Sequence, residues 1–248
     1  MLNFSTDELI RYSQQIKLDG IGLSGQQKLK NARVLCIGLG GLGSPLLLYL
    51  AAAGVGTLGI IDDDQVELSN LQRQILYRLS QVSEQKVTAT KAQLLALNPH
   101  IQVHSYAAKL TEHNAAELIS QYDLIADCSD NFPTRYLILD TCLDFNKPYV
   151  YASASRFQGY CSLFHGSPCF RCLFPRSANA DNVATCQGEG VLGVLPGILG
   201  IIQATEILKW LLKLGNPLEK RLLIIDLLKM SFKEIQLAQN PDCCCITP

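Results

Sequence analysis

The sequence predicts an α/β fold, a doubly wound and mostly parallel Rossmann-like sheet with antiparallel strands in its C-terminal part. Three observations carry that expectation. Short apolar runs alternate with helical patterns between residues 31 and 148, as in strand–helix–strand units with right-handed crossovers. A glycine-rich turn joins the first of these strands to its helix. After Pro148 the alternation stops, and "YVYASAS" and "GYCSLFH" follow one another as adjacent strands.

In chain order, a helix is expected from about Thr6 to Gln15, then a turn-rich stretch and a short helix near Gln26 to Leu29. "ARVLCIG" is a short buried strand, and "GLGGLG" opens onto the helical "SPLLLYLAAAG". "TLGIID" is the next strand and ends in Asp62, Asp63 and Asp64. "EQKVTATKAQLLALN" reads as a helix closed by Asn98-Pro99, and "IQVHSYAA" as a strand. "NAAELISQY" is helical, "DLIADCS" is a strand, and "NFPTRYLILDTCLDF" is a helix. "LGIIQATEILKWLLKL" is a long helix ended by Gly215, and "RLLIID" and "SFKEIQL" are late strands. No linker interrupts the series, so one domain is expected over 1–248: an N-terminal helical segment (1–30), a nucleotide-binding half (31–148) and a second half (149–248).

The chain has 248 residues, 48% hydrophobic and 17% charged, enough to bury a substantial core; intrinsic disorder is excluded. Net charge is −1 and the basic residues are scattered, which argues against a nucleic-acid partner. The N-terminus lacks a basic segment followed by an apolar core. The most apolar run, Gly190 to Ile202, is shorter than the roughly 20 residues of a membrane span and is broken by glycines and Pro196. No membrane partner is expected, and the expected location is cytoplasmic. There thiols stay reduced, so the ten cysteines are read as metal ligands, catalytic groups or core residues rather than disulfides.

Gly38, Gly40 and Gly43 fit G-x-G-x-x-G in the strand–helix context that this motif requires. Glycines let backbone approach a phosphate, and the helix N-terminus supplies amide donors. Asp62 ends the next strand, where it can accept from ribose hydroxyls. A tight turn without ligand satisfies the same glycines. Arg73 and Lys86, with Asn70 and Gln72 beside them, shift the balance towards a triphosphate, because two cations suit a leaving pyrophosphate. In "DCSDN", Asp130 and Asn131 follow a strand's carboxyl end, where open α/β sheets bind ligands, and Asp130 is a natural ligand for Mg²⁺. Singly, each of these is a solvated surface charge; together, at one sheet edge, they point to ATP.

"RYSQQI", "GLGGLGSP", "AGVGTLGIIDDDQVELSNLQRQ", "DCSDN" followed by "TR", "CFRC" and "TCQGEGVLG" occur in an order that resembles the ThiF/MoeB/HesA family, prokaryotic relatives of the ubiquitin-activating enzymes. "LDGIGLSGQQKL" and "SNLQRQILY" look slightly closer to ThiF. The resemblance implies an ATP-dependent adenylyltransferase. Its substrate would be the C-terminal carboxylate of a small ubiquitin-like sulfur carrier ending in Gly-Gly, in thiamin thiazole or molybdopterin biosynthesis. It implies nucleotide contacts from Gly38, Gly40, Gly41, Asp62, Asp64, Ser69, Asn70, Leu71, Gln72, Arg73, Lys86, Asp130 and Asn131. Arg73 and Lys86 would act on the phosphates, Asp130 would hold Mg²⁺, and residues 149–248 would bind the carrier and a zinc. It also implies a homodimer. Family members read R-Y-x-R-Q-I, with the second arginine reaching the partner's ATP; here that position is Gln14, which leaves Arg11 either as the trans contact or as an interface residue. No rhodanese-like extension follows residue 248, so a separate cysteine desulfurase or rhodanese-type donor is expected.

Cys186 occupies the position of the family's reactive cysteine; it is either a persulfide-forming thiol or a small buried hydrophobe. Cys36, Cys128, Cys142 and Cys161 lie in apolar patterns and read as core. The family's zinc is held by two C-x-x-C pairs. Cys169 and Cys172 supply the first; the second departs from the pattern, since the chain ends "CCCITP" and position 246 is Ile246. The expected zinc ligands are Cys169, Cys172, Cys243 and Cys245, with Cys244 spare. Two rival readings remain: a nicotinamide-dependent oxidoreductase, which leaves Arg73, Lys86 and the cysteine pairs without a role, and a non-catalytic scaffold, motivated by Gln14 and the irregular tail.

Overall fold

The computed structural model of the chain describes residues 4–175, 190–241 and 243. Two short helices come first, α1 (Thr6–Arg11) and α2 (Ser13–Ile16), where one was expected. The break is at Tyr12, whose ring is buried and whose hydroxyl accepts from Asn98 Nδ2 at 2.8 Å. That anchor draws Tyr12 out of helical geometry (φ −93°, ψ 7°). α1 starts in a capping box: Glu8 N–H donates to Ser5 Oγ and Ser5 N–H to Glu8 Oε2. α3 (Gly22–Asn31) is longer than the expected four residues.

Strand β1 (Arg33–Ile37) leads through the glycine turn into α4 (Gly43–Ala53), and β2 (Thr57–Ile61) follows. α5 (Lys86–Leu97), β3 (Gln102–Tyr106), α6 (Ala115–Ser120), β4 (Leu124–Asp127), α7 (Phe132–Asp144) and β5 (Tyr149–Ser155) complete the alternation. β6 (Gln158–Phe164), a short unpredicted helix α8 (Phe170–Leu173), α9 (Val194–Leu212), β7 (Arg221–Asp226) and β8 (Ser231–Gln236) follow. The described strands form one sheet in the order β3-β2-β1-β4-β5-β6-β7-β8. Pairing is parallel from β3 to β5 and antiparallel from β5 to β8.

Alternation along β1 divides the core between the two faces. Val34 and Cys36 pack with α4, α5 and α9; Leu35 and Ile37 pack on the other face with residues of α6, α7 and α8. Because the central strands are covered on both sides, they read as continuous apolar runs. Leu46, Leu47 and Leu50 of α4 are fully buried, each worth about 2 kcal/mol relative to exposure.

α9 begins at Val194, five residues before the expected start, and Pro196 lies in its first turn, where a missing N–H breaks no helical bond. Its left-handed cap is Lys213 (φ +57°), with Leu214 N–H donating to Lys209 C=O, so the helix ends before Gly215. By length and mean hydropathy α9 is long enough to cross a membrane, longer than the run singled out from sequence. In this fold Leu195, Leu199, Ala204 and Ile207 are buried in the core, and Gln203 donates to the carbonyls of Asp127 and Val150.

Candidate active site

The sheet changes direction between β1 and β4: β1 is followed outward by β2 and β3 on one side, and by β4 and β5 on the other. Crevices outside the carboxyl ends of strands at such a switch point are where open α/β sheets take ligands. Here it holds a cleft of about 800 Å³, lined by the glycine turn, the ends of β2 and β4, the segment 67–74, Lys86 and the start of α9.

The glycines divide by task. A Cβ on Gly38 (φ +96°) would meet Cys128 O at 2.7 Å, and one on Gly43 would collide with the Gly38 carbonyl. Those two are required by the turn itself. Around Gly40 the nearest atom among the described residues is Gln74 Nε2 at 3.7 Å, so none of them demands a glycine there. Gly40 and Gly41 line the cleft, which is the arrangement expected if a ligand approaches their backbone. Tyr77 supports the turn from below by donating to Leu39 O at 2.8 Å.

Asp62 is oriented by two backbone donors, Leu39 N to Oδ2 (2.7 Å) and Asp64 N to Oδ1 (2.8 Å). Burial pushes its pKa up, against the charge of Lys86 and the two N–H groups. Asn70 ends a 3₁₀ turn, Leu68–Asn70, and is buried; Arg73 is half-buried and donates to Ser69 O at 3.2 Å. Ser69 and Gln72 also line the cleft. Leu71 does not; it packs against the core. Lys86 opens α5, is buried, and its Nζ lies 2.7 Å from Asp64 Oδ2.

Asp130 and Asn131 complete the opposite wall, with Asp130 exposed to the cleft. Asn131 caps α7, accepting from Thr134 N at 2.9 Å, so it has a helical duty whatever binds. Arg11 stands apart from this group. Its guanidinium donates to Leu97 O at 3.0 Å, at the end of α5 remote from Lys86, about 16 Å along the helix.

The cysteines separate by environment. Cys36, Cys128, Cys142 and Cys161 are buried, and burial pushes the thiols of Cys128, Cys142 and Cys161 up, away from reactivity. Cys169 Sγ lies 4.0 Å from Cys172 Sγ and 3.5 Å from Cys243 Sγ. Tetrahedral zinc with Zn–S near 2.3 Å spaces its sulfurs about 3.8 Å apart, so these three thiols fit three corners of such a site. Cys186 and Cys245 lie outside the described residues.

Sequence reasoning assigned no role to Asp127, Ser129 or Arg135. All three are buried, and Ser129 and Arg135 line the cleft floor beside Asp130. The signal was present in "DCSDN" followed by "TR", but nothing local announces that an aspartate and an arginine will be buried.

Three comparisons bear on this geometry. The ThiF family model matches residues 12–245. A sulfur carrier protein adenylyltransferase of Thermus thermophilus is 43% identical over 98% of this chain and 92% of its own length. The adenylyltransferase and sulfurtransferase MOCS3 of Sus scrofa is 47% identical over 96% of this chain; the chain spans about half, 53%, of that relative. Among solved structures, E. coli MccB with ATP superposes with a TM-score of 0.84 at 23% identity, covering 98% of this chain and 75% of that one. At that identity the likeness establishes the fold.

Proposed function

Since the chain belongs to the ThiF family, we propose that it is an ATP-dependent adenylyltransferase that activates the C-terminal glycine carboxylate of a small ubiquitin-like sulfur carrier and releases pyrophosphate. The observation that carries the reading is one cleft onto which the Gly40–Gly41 backbone, Asp62, Arg73, Lys86 and Asp130 all open.

The chemistry asks little of the protein beyond placement. A carboxylate is already ionised at pH 7, so its attack on the α-phosphorus needs no general base. The bond to the β-phosphate oxygen breaks as the new C–O–P bond forms, and charge accumulates on the leaving pyrophosphate. Arg73 and Lys86 are the cations available to that charge, Arg73 as a forked donor and Lys86 as a buried point charge. Asp62, held by Leu39 N and Asp64 N, presents a fixed acceptor to a ribose. Mg²⁺, when bound, would supply further neutralisation of phosphate charge, and Asp130 is the residue that would hold it. Zinc would be held by Cys169, Cys172, Cys243 and Cys245, and its contribution is structural, tying the chain end to α8.

Several finer points belong to the same proposal. A homodimer is supported by the exposed Leu9, Ile10 and Leu18 of the N-terminal helical segment. The placement of Arg11 away from its own cleft leaves it available to a neighbouring subunit's site. A separate sulfur donor completes the sequence. The carrier belongs to the thiamin or the molybdopterin type, and a cytoplasmic location suits both. ATP–pyrophosphate exchange with ThiS-like and MoaD-like carriers side by side tests the reading: carrier-dependent exchange is expected, and no exchange with any Gly-Gly carrier would leave the scaffold reading in its place.

A further inference from the structure

Asp127 ends β4 and its carboxylate is fully buried. Oδ1 accepts twice from one residue, from Ser129 N at 3.0 Å and Ser129 Oγ at 2.6 Å. Oδ2 has no hydrogen-bond partner among the described residues. On the other side Arg135, also buried, donates from Nη2 to Ser129 O at 3.0 Å, while its Nε has no hydrogen-bond partner among the described residues. Its guanidinium sits over the rings of Phe132 (5.5 Å) and Tyr151 (5.2 Å), which limits its movement. Ser129 is therefore gripped at its N–H, its hydroxyl and its carbonyl. The next residue is Asp130, which is exposed to the open cleft.

The hydrogen bonds alone do not explain a charged residue at 127. An asparagine would accept both Ser129 donors through one oxygen without burying an anion, which is unfavourable unless offset. What the carboxylate adds is negative charge that attracts the Arg135 guanidinium from beyond ion-pair distance, set against burial, which pushes the Asp127 pKa up. A rigid floor is of use where a metal-binding carboxylate must be held at one geometry, because partners behind a ligand set its orientation.

We infer that Asp127 and Arg135 are positioning residues: an opposed buried pair that clamps Ser129 and thereby fixes Asp130 as a divalent-metal ligand. The inference rests on the reading of Asp130 given above. Neither residue touches the reacting atoms.

Titration with a non-hydrolysable ATP analogue, with and without Mg²⁺, on wild type, Asp130→Ala, Asp127→Asn and Arg135→Lys tests it, each variant checked for an unchanged unfolding temperature. In Asp127→Asn the metal-free affinity should match wild type, while the gain in affinity on adding Mg²⁺ falls about 10–100-fold. Arg135→Lys, which keeps the charge but loses the fork, should lose the gain in the same direction by less, and it carries the test if Asp127→Asn does not fold. A full Mg²⁺-dependent gain in both variants overturns the clamp, as does an equal loss with and without metal, which would mark a purely structural role. Those results leave the role of Asp130 standing. If Asp130→Ala itself keeps the wild-type Mg²⁺ dependence, the reading of Asp130 fails and the inference falls with it.

Discussion

Lys86 Nζ and Asp64 Oδ2 are 2.7 Å apart at the mouth of the cleft, with the lysine side chain 5% exposed and the aspartate 65% exposed. The pair is lopsided: the cation is held inside by the start of α5, while the anion stands in solvent and can be replaced there by a phosphate. An ion pair with one exposed partner is worth roughly 0–1 kcal/mol, so breaking it from the aspartate side has a small effect. Asp64→Asn should change the exchange rate by less than about 5-fold. On the proposed reading Lys86→Ala removes the positive charge that would neutralise the leaving pyrophosphate, and it should lower the rate about 10²–10³-fold. Equal losses in the two variants would mean that Asp64 itself carries the chemistry.

Arg73 lies on the same wall, steadied by its bond to Ser69 O. Its forked guanidinium suits two phosphate oxygens at once. Arg73→Ala should lower kcat about 10²-fold and move KM for ATP far less, the pattern of a contact made in the transition state. Arg73→Lys should recover only part of the loss. A rise in KM with kcat unchanged would assign Arg73 to ground-state binding.

Much of this was legible in the sequence because it was written locally. β1 and β2 are buried on both faces and read as unbroken apolar runs, and the turn between β1 and α4 needs Gly38 and Gly43 for steric reasons visible in their spacing. The cleft followed, since strand ends at a switch point converge whatever their side chains. What escaped depended on contacts distant in the chain. Tyr12 leaves helical geometry because of Asn98, 86 residues away. α9 extends back past Pro196, which the sequence reading took as a break, because a proline in a first turn is harmless. Asp127 and Arg135 were given no role from the sequence, because their burial depends on how β4 and α7 pack.

The N-terminal helical segment carries a pH-dependent contact. Glu8 caps α1 and pairs with Lys30, with Oε1 2.7 Å from Nζ. Burial works to raise its pKa, but the Lys30 hydrogen bond, the Ser5 N–H and the Lys30 charge outweigh it and hold the carboxyl below the ordinary range. A depressed carboxyl stabilises the fold above its unfolded pKa of about 4, and that contribution is lost as pH falls through the folded value. Glu8→Gln should therefore cost about 1–2 kcal/mol at pH 7, and the difference from wild type should close below about pH 4. Unfolding curves at pH 7 and pH 3 measure it; a gap of the same size at both would remove the charge from the explanation.

The three described thiols of Cys169, Cys172 and Cys243 bring α8 against the chain after β8, with Cys243 74 positions beyond Cys169. A metal holding them closes a long loop, and its removal should be felt in stability before activity. Native mass spectrometry should find one zinc per chain, and chelation should lower the unfolding temperature by more than about 5 °C. Cys169→Ser, Cys172→Ser and Cys243→Ser should each lose the metal. The fourth ligand is the open choice that the terminal "CCC" creates. The expected ligand set takes Cys245 and leaves Cys244 spare. Cys245→Ser should then lose zinc and Cys244→Ser keep it. The reverse result would make Cys244 the fourth ligand, and zinc retained in both variants would mean that either sulfur serves.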